Sequence, residues 1–497
     1  MAESRIGGGA PADAETPAAA RKRTILAIAC LGQFMVILDV SVVTVALPAM
    51  RADLHFSATG LQWVINAYTL IFAGFLLLGG RAADLYGRRR IFIAGLSLFT
   101  LASLACGLAP GPETLVVARA VQGLGAAMLA PATLTILTTT FTEPRERARA
   151  LGIWSAALAT GGATGALLGG ILTDTLSWRW IFLINVPFGI ACIVGARAVL
   201  SETRGTGPSR SLDVAGALTI TSSLTVFVYG LVRTDSVGWA SPQTIAAMVI
   251  AAVLLGAFLV IETRVAEAPL VPLGILRAPA LAGANLAMLC VGGSMFAMWY
   301  FVSLYLQGVL GESPLMAGLA FLPAAIAVII GAQVAARMVP RFGPRRLLLV
   351  SPLLIAAGLL WMSRVSATGS YAADILGPIT LAALGLGLCF PPSTYAATAG
   401  VAPKDAGLAS GLINATRQVG GAIGLAVLAT IAVHETAQSL ASHAPSVNPV
   451  ATALVAGYQR AFLVGGLVAV AASLSALIIP AIPRMRSESP SPVTPEA

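Results

Sequence analysis

Gly80-Arg81-Ala82-Ala83-Asp84-Leu85-Tyr86-Gly87-Arg88-Arg89-Arg90-Ile91 lies between two long apolar runs, 61–79 and 91–108. A connection this short between two membrane-length runs is a tight hairpin at a bilayer surface. Gly80 and Gly87 allow close backbone approach and a positive φ. Arg81, Arg88, Arg89 and Arg90 crowd the loop, and the positive-inside bias then faces it to the cytoplasm. One carboxylate, Asp84, stands among them. An ordinary cytoplasmic loop needs the arginines and the turn glycines, but no acid at that spacing.

The rest of the chain agrees with a membrane setting. Of 497 residues, 57% are hydrophobic and only 10% charged, with a mean hydropathy of +0.87. So little charge cannot cover a soluble protein of this length. The apolar runs are helical spans, since a lone segment in lipid must satisfy its own backbone. No alternating β-barrel pattern is present. The net charge of +9 does not indicate nucleic acid, because most of the 30 Lys+Arg fall in one set of alternate loops and tails. That asymmetry predicts a multi-pass cell-membrane protein with both termini cytoplasmic. Cys30, Cys106, Cys192, Cys290 and Cys389 all lie in apolar runs and read as reduced core residues. No signal peptide is expected.

Apolar runs occur at about 24–48, 61–80, 91–109, 113–140, 147–172, 178–200, 213–233, 243–263, 282–306, 314–339, 345–364, 374–395, 406–434 and 459–482. These are 14 spans, an even number that suits termini on one side. The reading divides the chain into a disordered tail 1–23, a six-helix bundle 24–200, a linker 201–212, a two-helix hairpin 213–263, a loop 264–281, a second six-helix bundle 282–482 and a tail 483–497. Pro340-Arg341-Phe342-Gly343-Pro344-Arg345-Arg346 is a degraded echo of the opening loop, with Gly343 in the place of Gly87. Two similar halves around an inserted pair give a 6+2+6 all-α architecture, and internal repeats of this kind serve alternating access.

The deep polar residues are few. Asp39 is the one carboxylate well inside a span, about 13 Å from Pro48 at helical rise. Arg119 in span 4 sits at similar depth, with Gln122 one turn further on. An acid and a base at one depth are best explained by pairing across a cavity, with a static structural ion pair as the alternative. Span 13 carries Ser410, Asn414, Arg417 and Gly421 on one helical face, with Arg417 near the membrane midplane. That arginine must face a cavity, a partner or backbone carbonyls. Span 5 carries Gly161, Gly165 and Gly169, four-residue spacing that makes a smooth face for helix packing. Trp178-Arg179-Trp180 opens span 6 as an interfacial anchor.

The opening loop resembles the connection between the second and third helices of the major facilitator superfamily. Gly161–Gly170 resembles the antiporter motif of drug exporters, although Ala166 stands where a proline is usual. Trp178 to Pro187 is similar to a signature of the fourteen-span drug:H+ antiporters. The likeness covers about 24–482. It implies a proton-driven exporter of amphipathic or antibiotic-like small molecules, with Asp39, Arg119 and Gln122 in proton coupling. It also implies a cytoplasmic gate of Gly80, Asp84, Gly87 and Arg88, in which Asp84 latches onto the start of span 13 near Asp405–Gly407.

Spans 1, 2, 4, 9, 10 and 13 are expected to line the cavity. Asn66, Tyr68, Asn285, Trp299, Tyr300, Asn414 and Arg417 are the candidate substrate contacts, and plain packing would also account for them. The expected partners are a small-molecule substrate, protons and the bilayer, with no nucleic acid, cofactor or metal, and the protein is expected to be monomeric. An enzyme would need a catalytic cluster, and the sequence has no HExxH, GxSxG or P-loop. Without a nucleotide-binding loop, transport must use an ion gradient or downhill flux. A facilitator, an uptake transporter or a membrane sensor remains compatible with the residues.

Overall fold

The computed structural model describes residues 17–204, 211–399, 401–402, 405–442 and 448–480, and 14 helical stretches among them are long and apolar enough to cross a bilayer. The first bundle comprises α1 (Pro17–Leu54), α2 (Trp63–Tyr86), α3 (Arg88–Gly107), α4 (Pro112–Thr140), α5 (Pro144–Thr175) and the broken pair α6 (Trp180–Leu183) and α7 (Asn185–Val199). The inserted hairpin is α8 (Val214–Val237) and α9 (Pro242–Val260). The second bundle comprises α10 (Pro279–Gly308), α11 (Pro314–Ala320), α12 (Leu322–Phe342), α13 (Pro344–Met362), α14 (Gly377–Ala399), α15 (Ala406–Ala441) and α16 (Pro449–Ser475).

Helix starts follow local chemistry. Glu143, Asp213, Ser241, Ser313 and Asn448 each accept a backbone N–H three residues on, and proline opens α4, α5, α9, α11 and α16 where its missing N–H costs nothing. The breaks also have causes. Pro187 cannot donate to Leu183 and Pro323 cannot donate to Leu319, so spans 6 and 10 each divide into a short and a long helix. The first span differs from its expected limits at both ends. It begins at Pro17, within the stretch read as a disordered tail, and continues through Pro48 to Leu54. Residues 1–16 and 481–497 lie outside the described residues, as does most of the linker core, 205–210.

The halves repeat in their packing. In the first, α1 packs on α5, and α2 and α3 pack on α4; in the second, α10 packs on α15, and α12 and α13 pack on α14. Small residues permit the contacts. A Cβ on Gly169 would lie 2.7 Å from Val42 O, and one on Gly165 would lie 2.7 Å from Ser41 Cβ, so the glycine stripe of α5 grips α1. Gly420 and Gly424 make the equivalent close approach to Leu289 and Gly293 of α10. The hairpin covers the seam between bundles: Val228 and Val232 of α8 pack with Leu70 of α2 and with Ala422 and Ala426 of α15.

The bundles also meet directly in the half away from the termini. Pro48 leaves the Thr44 carbonyl without its helical donor, and Ser303 of α10 donates to that carbonyl at 2.8 Å. Gln307 donates to Val45 O at 2.9 Å. Nearby, a Cβ on Gly318 of α11 would lie 2.6 Å from Ala166 O of α5.

Candidate functional site

In the opening loop, Gly87 has φ +113°, a conformation that favours glycine, and it serves both as the end of α2 and the start of α3. Its hydrogen side faces the Glu202 carboxylate so closely that any Cβ would collide with it. Glu202 accepts from Arg89 N at 3.2 Å and pairs with Arg90 at 3.6 Å, while Arg88 N donates to Thr203 O at 3.0 Å. The chain leaving the first bundle is thus docked on the loop between α2 and α3. Gly80 packs on Pro131 of α4, about van der Waals distance for an added Cβ at 3.4 Å. Asp84 accepts from Arg88 at 3.0 Å, one turn along, and its side chain is half exposed. Arg81 reaches the other way and donates to Ala268 O and Pro269 O of the loop after the hairpin. Gly343, the counterpart of Gly87, also has positive φ, at +76°, but nothing stands near it.

The ion pair forms inside the first bundle. Asp39 on α1 is fully buried and Arg119 on α4 is 1% exposed. Arg119 Nη1 donates to Asp39 Oδ2 at 2.6 Å and to Gln122 Oε1 at 2.7 Å, and its Nε donates to Val64 O at 3.0 Å. Gln122 Nε2 donates to Asp39 Oδ1 at 2.8 Å and to Ser103 Oγ at 3.2 Å. The guanidinium lies over the Tyr68 ring, 4.4 Å from ring centre to Cζ. The expectation of a pair facing across a cavity is therefore corrected: acid and base touch, and helices enclose them.

The sequence reading missed two members of this network. Ser103 of α3 donates to Phe182 O at 2.9 Å, and Asn185 donates to Ser103 at 3.0 Å. Asn185 is 1% exposed and stands at the break between α6 and α7. Its signal was present in the sequence, since an asparagine two residues before a proline inside a span has backbone and side-chain polarity to satisfy at once. Ser103 carries no such signal.

The seven candidate substrate contacts have different surroundings. Tyr68 belongs to the ion pair. Asn66, on the same helix, is fully buried with its amide atoms unpartnered. Asn285 is structurally satisfied: it donates to Leu281 O at 2.9 Å and accepts from Thr416 at 2.8 Å. Trp299 tilts against Phe321 at 5.4 Å, and Tyr300 is buried against Phe301 at 5.2 Å. Asn414 is exposed. Arg417 lies 5.7 Å over the Phe390 ring, and its Nε is buried without a partner. No group of three or more His, Cys, Asp or Glu that could hold a metal occurs among the described residues.

Residues 29–425 match the sequence profile of the Major Facilitator Superfamily. The chain belongs to that superfamily. It is 44% identical to the cephamycin export protein CmcT of Amycolatopsis lactamdurans, over 88% of this chain and 90% of the relative. It is 41% identical to the puromycin resistance protein pur8 of Streptomyces alboniger, over 89% and 88%. Its fold is similar to the crystal structure of a bacterial homolog of the human lysosomal transporter Spinster, with a TM-score of 0.64, 16% identity and coverage of 94% and 98%. The all-helical superfamily fold expected from the sequence is thereby established, and the chain is a multi-pass membrane transporter.

Proposed function

We propose that this protein exports antibiotic-like small molecules across the cell membrane in exchange for protons, by alternating access between its two bundles, as a monomer with both termini in the cytoplasm. The observation that carries the coupling is the closed network of Asp39, Arg119 and Gln122. An enclosed carboxyl held by one guanidinium and one amide has two charge states of very different energy, and a change of packing around it shifts their balance. Asp39 is accordingly the coupling group, Arg119 and Gln122 position it, and Asp84 with Arg88 belongs to a cytoplasmic latch. Export of antibiotics is supported by the names of the relatives that share two-fifths of the sequence over most of its length.

Substrate is assigned to the space between the bundles, with Asn414 and Arg417 of α15 as contacts. The unpartnered Nε of Arg417 and its aromatic neighbour favour planar neutral or acidic compounds. The test is uptake into inside-out vesicles holding the purified chain, with an imposed pH gradient and a panel of antibiotics. Accumulation that collapses with a protonophore is expected. Flux that only equilibrates, or that persists unchanged with the protonophore, would refute coupled export.

A further inference from the structure

Four segments of the first bundle leave a cavity of about 300 Å³ between them, on the side that carries the arginine-rich loop. They are the first turns of α1, the start of α3, the last turn of α4 and the chain that leaves α7. The size lies at the lower end of that usual for small-molecule sites, about 300–1,000 Å³. Arg21, Lys22 and Arg89 bring positive charge to its wall, Thr139 adds a hydroxyl, and Ile25 and Ile136 make part of it apolar.

The protein does not balance that charge. Lys22 is paired with Glu146 at 2.6 Å. Arg21 donates to Val199 O at 3.1 Å and to Ser201 Oγ at 3.4 Å, and Arg89 donates to Arg197 O at 2.8 Å. Among the described residues, neither guanidinium is paired with a carboxylate. The neighbouring acid, Glu202, is taken by the backbone N–H of Arg89 and by Arg90. A guanidinium has five N–H donors, and these bonds use no more than two on either side chain. Arg89 Nε is buried without an acceptor. Capping the last carbonyls of α7 thus accounts for part of each arginine, and leaves further donors and both charges for an anion.

We infer that this cavity binds an anionic phosphate group, held by Arg21 and Arg89 with Lys22 beside them. Guanidinium forks match phosphate oxygens in geometry as well as charge, and basic pockets between helix ends at the cytoplasmic surface suit phosphate headgroups. An occupant joins the start of α1 to the chain after α7, which is itself docked on the loop between α2 and α3 through Thr203 O and Glu202. The phosphate belongs either to an anionic phospholipid at the membrane surface or to a soluble compound. The site is independent of the role proposed for Asp39.

The test uses the full chain, purified in detergent and freed of lipid, with binding followed by native mass spectrometry. The probes are short-chain phosphatidylglycerol, phosphatidylcholine with the same acyl chains, and inorganic phosphate. Phosphatidylglycerol should bind in preference to phosphatidylcholine. The double variant Arg21→Gln with Arg89→Gln should weaken it by about 30-fold, from the usual contribution of two arginines at a membrane surface. Thr139→Glu gives a second route if the double variant does not fold. Thr139 is exposed and its hydroxyl bonds only within α4, so the substitution breaks no contact between helices, keeps every basic residue and sets a carboxylate in the cavity, which should also exclude the lipid. Inorganic phosphate that displaces phosphatidylglycerol assigns the site to a soluble phosphate; lipid that stays bound against it assigns the site to a headgroup. Equal binding of the two lipids, or binding that neither the double variant nor Thr139→Glu weakens, would overturn the proposal.

Discussion

Asp39→Asn separates the structural role of the ion pair from its role in coupling. The asparagine is isosteric, and its Oδ1 keeps the hydrogen bond now made at 2.6 Å to Arg119. Its Nδ2 then faces Gln122 Nε2, which is also a donor. Gln122 can turn its amide round, but only by withdrawing Oε1 from Arg119, an acceptor at 2.7 Å. One hydrogen bond to a charged group is lost either way, about 1–3 kcal/mol, and Arg119 also loses its counter-charge. Asp39→Leu leaves the same uncompensated guanidinium and also removes its acceptor at this position, which costs about 3–5 kcal/mol. The expected order in thermal unfolding is thus wild type, Asp39→Asn, then Asp39→Leu well below. In vesicles, Asp39→Asn should retain exchange of labelled for unlabelled substrate at equal pH, and should lose uphill accumulation driven by a pH gradient. Proton-driven accumulation at the wild-type level in Asp39→Asn would refute the reasoning. So would equal stability of the Asn and Leu variants, because the argument assigns the difference to the acceptor that asparagine still offers Arg119.

Gly87→Ala should destabilise by about 1–3 kcal/mol through its backbone conformation, and further by displacing Glu202; Gly343→Ala, with no neighbour near it, should cost only the backbone part, so equal unfolding midpoints would contradict the account. Gly169→Val should separate α5 from α1 and abolish transport, whereas Gly152→Ala, beside open space in the same helix, should be neutral or stabilise by about 0.5–1 kcal/mol; a functional Gly169→Val protein would show that this contact is dispensable. Asp84→Asn should leave stability within about 1 kcal/mol, since the pair with Arg88 is partly exposed, yet should raise labelling of a cysteine placed on the cytoplasmic side of the cavity; unchanged labelling counts against the latch. In the same vesicles a polycyclic aromatic acid should be exported in preference to a dicationic dye of similar size, and Asp39-dependent preference for the dication would sink the charge argument.

The membrane fold was legible because lipid imposes one rule on every span, and apolar runs of sufficient length obey it. The ion pair was legible for the same reason: a carboxylate and an arginine at matching depth have few ways to be tolerated. What the sequence could not show was the direction each side chain takes. Asn285 and Tyr300 have the chemistry of substrate contacts, but one is satisfied by Thr416 and its own helix and the other is packed against Phe301. Ser103 is one hydroxyl among many in the spans, and only the packing of α3 on α4 makes it a member of the network. Helix limits at Pro17 and Leu54 were hidden because a polar helical turn beyond the hydrocarbon core has no apolar signature.

One helix ties the charged network to the meeting of the bundles. Asp39 and Thr44 are both on α1, about 7–8 Å apart along its axis. The first is bonded within its own bundle, to α4; the carbonyl of the second is bonded to Ser303 of the other bundle. Pro48 creates that second link by leaving the carbonyl free, so a proline that appears to end the span instead prepares the helix for an external donor. On its other side α1 meets the glycine stripe of α5, from Gly161 against Phe34 to Gly169 against Val42. Such a contact is close but smooth, with few side chains interlocked across it. A smooth contact of this kind opposes a small shift of the helix less than interlocked side chains would, and loss of the Asp39 charge would favour such a shift by weakening the pull of Arg119 on α1. The bond from Ser303 and the bond from Gln307 to Val45 lie directly along the helix from that release. Movement of α1 would therefore alter both the Asp39–Arg119 pair and the contact that joins the bundles, and no longer pathway between them is required.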